Sequence, residues 1–386
     1  MVDEFKQPRV LIVDDDDMES FATELELYDV QAQHVTPDEL RCHHLDGVDV
    51  ILVDEYLKVW EERESVAESV GLHVRDGIAL ASVLRSHISN RGPNEELPLR
   101  RSNTAIVLRT GHLDALAAGI PAFVRSVSVA RQNDLEWVVR KGDVDGGGSA
   151  SAIRDLACAV SQLPAEWHGL DTTGIQSWLS VTNKTFCDAA LLQIEECRPP
   201  WSVLASTSAG RKWISWFLQR ILPFPTFLID DLRAASYLGL SDSALDILRN
   251  SDSQVGKMLA ESVYSGELSD FVGRRWWRAG LQEIRRFVIS ASGTASQEHF
   301  FDTLCHVSHC DLKAYRLAVR YPVFEIDDNY NVVKDPIEIE NGVRLQPDEW
   351  PSYADFPWLD RRNLADYSTD LKRLIVIDDR NEEGEM

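Results

Sequence analysis

Cysteine and methionine are scarce in this chain, positive charge is in short supply, and long apolar runs are missing. The six cysteines among 386 residues, at positions 42, 158, 187, 197, 305 and 310, are too few and too scattered for a disulfide framework. They fit a reducing compartment. No apolar stretch approaches the roughly 18 residues that a membrane span needs, and the segment Met1–Arg9 lacks the apolar core of a secretion signal. A cytoplasmic protein without a membrane partner is expected. Thirty-nine Lys+Arg stand against 63 Asp+Glu, a net charge of -24. That balance repels nucleic acid and anionic membranes over long range and disfavours both as partners. There is no repeat at solenoid periods, and low complexity is confined to Gly146–Ser149 and the acidic end.

A hydrophobic fraction of 44% with 26% charged residues describes a globular protein. At roughly 100–200 residues per domain, the length calls for two or three. The acidic excess lies in residues 1–164 and beyond 321, while 165–320 are nearly balanced, which leaves room for a basic patch in the middle.

Residues 1–164 alternate two patterns. Short apolar, β-branched runs at Arg9–Val13, Val30–Val35, Val48–Val53, Thr104–Leu108 and Leu135–Val139 predict strands. Amphipathic stretches at Met18–Tyr28, Pro37–Leu45, Gly77–Ile88, Leu113–Ala130 and Ala150–Leu163 predict helices, with Pro37 at a helix start and Pro121 breaking the fourth. Five strands alternating with five helices imply an α/β fold, a doubly wound parallel sheet of order 2-1-3-4-5. Residues 165–320 predict a mainly α-helical, Trp-rich domain. Residues 321–386 form a Pro/Asp-rich extension with strand-like runs at Tyr321–Ile326 and Leu374–Ile377 and a polar, acidic tail at Asp378–Met386.

In an open parallel sheet, function sits at the carboxyl ends of the strands. The first strand is followed by Asp14, Asp15, Asp16 and Asp17, the third by Asp54, the fourth by Thr110, and the fifth by Arg140 and Lys141. The expected order makes strands 1 and 3 neighbours, so Asp14, Asp15 and Asp54 share one pocket flanked by Thr110 and Lys141. Clustered carboxylates call for a cation, and a hard ion taking oxygen ligands, Mg²⁺, suits them. A carboxylate beside such a cation, a hydroxyl and an ammonium is equipped to accept a phosphoryl group.

The set Val10–Asp15, Val50–Asp54, Asp76–Leu80, Ile106–Gly111 and Trp137–Lys141 resembles the receiver domain of bacterial two-component response regulators, over about residues 8–163. The resemblance implies a flavodoxin-like fold. It implies Asp54 as phosphoacceptor, Asp14 and Asp15 as the acidic pair organising Mg²⁺, and Tyr56 as a backbone-carbonyl ligand. It also implies Thr110 as the switch hydroxyl, Lys141 or its neighbour Arg140 as the phosphate-pairing cation, and a histidine kinase or phosphotransfer protein as donor. Insertions at about 55–75 and 89–102 and the missing Lys-Pro pair depart from the family pattern. They point to a second reading, a pseudo-receiver that works as an adaptor or scaffold through protein contacts. A downstream protein partner is expected under either reading, and a homodimer is compatible with both.

The C-terminal region offers four fragments. Asp230–Leu248 has helix-turn-helix spacing. It supports a third reading, a DNA-binding regulator, but its second helix offers Asp242, Ser243 and Asp246, which repel phosphate. Cys305, His306, His309 and Cys310 are zinc-type ligands spaced in two i,i+4 pairs. Ser206–Lys212 resembles a phosphate loop only faintly. Trp201, Trp213, Trp216, Trp276 and Trp277 lie among arginines, an arrangement expected to be core packing with arginine rims. No nucleophile–base pair for turnover of an external metabolite is legible.

Overall fold

The computed structural model describes residues 7–57, 77–89, 103–142, 148–164, 173–201, 209–293 and 297–381. Both expected insertions fall largely outside these, at 58–76 and 90–102, as do residues 206–208 of the Ser206–Lys212 segment.

Five strands, β1 (Arg9–Val13), β2 (Gln31–Val35), β3 (Val50–Asp54), β4 (Ala105–Thr110) and β5 (Trp137–Arg140), form one parallel sheet in the order β2-β1-β3-β4-β5. The three central strands are buried on both faces, so they read as unbroken apolar runs rather than as alternation. Their side chains still alternate between two cores. Val10, Ile12, Val50, Leu52 and Val107 pack beneath α1 (Glu19–Glu26) and α5 (Gly148–Ser161). Leu11, Val13, Ile51, Val53, Ile106 and Leu108 pack beneath α2 (Gly77–Ser89) and α4 (Arg125–Gln132).

Two expected helices differ. Pro37–Leu45 forms only a turn and a 3-10 segment at Cys42–Leu45, because little of it is apolar enough to bury beyond Leu45. Leu113–Ala130 is split at Pro121 into a single turn, α3 (Leu113–Leu116), a 3-10 turn at Ala122–Val124, and α4. Proline lacks the amide that a continuous helix would use.

The first core does not stop at residue 164. Trp178, Trp213 and Phe217 join it, and Trp178 Nε1 donates to the Ala159 carbonyl of α5 at 2.9 Å. This part of the chain holds α6 (Thr173–Trp178), α7 (Cys187–Glu196) and α8 (Ala209–Trp216), the last running into a π-helical turn at Phe217–Ile221. Trp213, Trp276 and Trp277 are fully buried and Trp216 nearly so, so these four tryptophans are core and not a stacking surface.

A separate apolar cluster holds α9 (Asp231–Tyr237), α10 (Ala244–Arg249), α11 (Gln254–Ser262), α12 (Arg278–Ser292) and α13 (Gln297–Ser308) together. The extension folds around Tyr330, Val343, Trp350 and Leu359 and reaches back to Val124 and Phe224. Its strands are shorter than expected. Tyr321–Ile326 contributes the two-residue strand Pro322–Val323 and isolated bridges at Glu325 and Ile326, and Leu374–Ile377 only an isolated bridge at Ile375. The acidic end is not wholly a free tail: Ile377–Asn381 is helical, and Asp379 is buried against the Arg344 guanidinium. Among the described residues no helix is long and apolar enough to cross a membrane.

Candidate functional site

Parallel pairing brings the strand ends to one edge. Val13 lies opposite Val53 and Asp54 opposite Arg109, while Thr110 lies opposite Arg140. Asp14, leaving β1, and Asp54, ending β3, are 1% and 3% exposed. One carboxylate oxygen from each of Asp14, Asp15 and Asp54 lies within 4.8 Å of the others, and this is the one group of potential metal ligands among the described residues. An all-oxygen donor set of this kind suits a hard divalent cation. Chiefly burial, and then the neighbouring Asp54 charge, push the Asp14 carboxyl up from its ordinary value. The Asp16 amide, Lys141 and Arg109 pull the other way, the amide through a 3.0 Å hydrogen bond to Asp14 Oδ1.

Lys141 Nζ forms an ion pair with Asp54 Oδ1, a contact of charges rather than an aligned hydrogen bond. Asp54 Oδ2 accepts from the Tyr56 amide at 3.1 Å. Arg140 turns away and pairs with the half-exposed Asp114 at 2.6 Å. Of the two adjacent cations, Lys141 is thus the one at the carboxylates. Its amide donates to the Thr110 carbonyl at 2.7 Å, which fixes the approach of its side chain.

Thr110 is fully buried, but its hydroxyl is committed elsewhere. It donates to Glu55 Oε2 and accepts from the His112 amide at 2.8 Å, and His112 Nδ1 lies 3.6 Å from the same Glu55 oxygen. Glu55 and Arg109 are site residues that the sequence reading passed over. The Arg109 guanidinium lies 3.5 Å from Asp14 Oδ2 and over the Phe21 ring. Each directly follows a recognised strand residue, and that adjacency was the available signal. A cavity of about 100 Å³ opens between Asp54, Lys141, Gly111 and His112. A methyl group placed on Gly111 would meet nothing within 4 Å, so the approach stays open there. Gly77 is the opposite case: a Cβ there would lie 1.8 Å from the Asp54 carbonyl oxygen. Only glycine lets α2 start against the end of β3.

The remaining fragments settle into structural places. Asp230–Leu248 is a helical hairpin whose Gly239 turn has φ +73°, and its six-residue second helix buries Ala244, Leu245 and Leu248 in the core while Asp246 pairs with Arg274. The four zinc-type side chains between 305 and 310 do not converge, because α13 ends at Ser308 and His309 takes φ 57°. No family model, curated protein or solved structure matches the chain.

Proposed function

We propose that the protein is a response regulator of the two-component type, with a flavodoxin-like receiver that accepts a phosphoryl group on Asp54 and switches a non-standard helical output region. The observation that supports this best is the Lys141–Asp54 ion pair beside the Asp14, Asp15 and Asp54 carboxylates at the open edge of the sheet. Asp14, Asp15 and Asp54, with the Tyr56 carbonyl, would hold Mg²⁺, which when bound offsets the negative charge of phosphoryl oxygens. Asp54 attacks phosphorus of a phosphohistidine or small acyl phosphate. The P–O bond to Asp54 forms and the bond to the donor breaks with its electron pair; a histidine donor leaves as imidazole and takes a proton from solvent, whereas an acyl phosphate leaves as its carboxylate and needs none. Lys141, released from the carboxylate it now holds, pairs with the new phosphoryl oxygens.

Thr110 must leave Glu55 to reach the phosphoryl group, so phosphorylation competes with an existing buried hydrogen bond. That exchange is the switch. The neighbouring β5 edge already contacts the helical region: Trp137 packs edge-on against Phe271, and Gln219 Nε2 donates to the carbonyls of Leu135 and Glu136 at 2.7 and 3.1 Å. Repacking at Thr110 is therefore felt three strand positions from an inter-region contact, that of Trp137.

The Thr110–Glu55 bond also favours one alternative, an adaptor locked in a single state that is never phosphorylated. Tryptophan fluorescence during titration with Mg²⁺ and beryllofluoride separates the two. A saturable change lost in Asp54→Asn supports the receiver, and no response in the wild type supports the adaptor.

A further inference from the structure

A cavity on the helical region, among the described residues, shares no residue with the acidic site. It is about 920 Å³, at the upper end of the roughly 300–1,000 Å³ typical of small-molecule sites. α12 supplies Arg285, α13 supplies Phe300 and Phe301, and the strand-like segment after them supplies Arg316, Arg320 and Tyr321. Each guanidinium lies over a ring: Arg285 over Phe300 at 5.0 Å, Arg316 over Phe301 at 4.9 Å, and Arg320 over Tyr321 at 5.1 Å. Ring stacking holds a guanidinium plane in place.

Among the described residues no carboxylate lines this cavity, although acidic residues outnumber basic ones 63 to 39 in the whole chain. Glu338 lies beside it, but its oxygens accept from the backbone amides of Arg320 and Tyr321, at 2.5 and 3.0 Å. Arg285 Nη1 donates to the Tyr237 carbonyl at 2.6 Å, which leaves other donors of its five-donor fork available. The frame is fixed by backbone bonds, from the Leu317 amide to the Gly239 carbonyl at 3.0 Å and from the Ser241 amide to the Tyr315 carbonyl at 2.8 Å.

We propose that this cavity binds a free nucleotide, independently of any chemistry at Asp54. Several guanidiniums match the multiple charges and paired oxygens of a phosphate chain. The rings, and the outer faces of the guanidiniums stacked on them, suit a planar base. The net charge of -24 repels a long polyanion far more than a small one, which selects a nucleotide over a nucleic-acid strand.

Isothermal titration of the full chain with ATP, GTP, adenosine, pyrophosphate and an oligo-dT strand tests this. ATP or GTP should bind with a Kd below about 100 µM, pyrophosphate more weakly, and adenosine more weakly still. Arg316 is exposed, so Arg316→Gln should keep the wild-type melting temperature yet lose roughly tenfold or more in affinity, the worth of a charge-assisted contact. Arg286→Gln, on the outer side of the same helix as Arg285, and Asp54→Asn should both leave affinity unchanged. No saturable binding up to millimolar nucleotide, or full affinity in Arg316→Gln, overturns the proposal. Tighter binding of the oligonucleotide than of ATP also overturns it, in favour of a strand-binding groove, and loss of binding in Asp54→Asn would move the ligand to the acidic site.

Discussion

Glu136, at the entry to β5, is 1% exposed and ties three parts of the molecule together. One of its carboxylate oxygens takes the Arg85 guanidinium and the Ile106 amide, the latter at 2.6 Å, and the other lies 3.4 Å from the Ser215 hydroxyl in the helical region. Arg85 is itself 8% exposed and also donates to the carbonyls of Thr104 and Asp134. Glu136→Ala removes the buried counter-charge of the Arg85 guanidinium and leaves it only the largely exposed Asp134 carboxylate, 3.6 Å from Nε, at a cost of about 3–5 kcal/mol. Arg85→Met leaves the carboxylate in the same position, and the expected loss is of the same order. The double variant Arg85→Met/Glu136→Leu removes both charges and leaves only neutral groups, backbone atoms and the Ser215 hydroxyl, short of a partner, at roughly 1–3 kcal/mol each before any repacking gain. The double variant should therefore cost less than the sum of the singles by about 2 kcal/mol or more, a coupling typical of buried contacts. Urea denaturation followed by tryptophan fluorescence gives the three values. Single-variant losses below about 1 kcal/mol, or strict additivity in the double variant, would refute the view that a buried ion pair joins α2, β4, β5 and the helical region.

Three further outcomes follow from the site. Lys141→Met should abolish stable phosphorylation, whereas Arg140→Met, which loses only a pairing with Asp114, should phosphorylate at the wild-type rate in a radiolabelled phosphodonor assay. Gly77→Ala forces a methyl group against the Asp54 carbonyl and should cost at least about 2 kcal/mol in urea, with phosphorylation lost through displacement of Asp54. The Asp14 pKa is raised, so its proton returns at a higher pH than that of an ordinary aspartate. Mg²⁺ affinity, read by fluorescence titration, should accordingly fall on acidification before the usual carboxylate range is reached. The same shift means that ionised Asp14 costs stability above its folded pKa and that this cost is relieved as the pH drops through it. Asp14→Asn should therefore melt at a higher temperature than the wild type at neutral pH without added metal.

The sheet and its order were legible because buried parallel strands leave short β-branched runs, and the alternation with helices leaves few topologies. The meeting of Asp14, Asp15, Asp54 and Lys141 followed from that order alone. What lies beside them did not. Whether Thr110 bonds Glu55 or faces Asp54 is set by side-chain rotation, which no spacing encodes. The choice between Arg140 and Lys141 depends on where β5 ends, and strand ends are poorly marked in sequence. The tryptophans and arginines of the helical region looked alike as a stripe. Burial separates them: Trp213, Trp276 and Trp277 are core, and Arg211, Arg274 and Arg278 pair with Asp134, Asp231 and Asp355. Arg285 and Arg316 drew no notice because their partners are rings far off in sequence or an adjacent helix, and neither makes a motif.

Intact-mass measurement after incubation with Mg²⁺ and acetyl phosphate tests the central claim most directly. The account predicts a mass gain of one phosphoryl group that hydroxylamine removes, that needs Mg²⁺, and that is absent in Asp54→Ala. An unmodified wild-type chain, or an adduct that persists in Asp54→Ala, would contradict it.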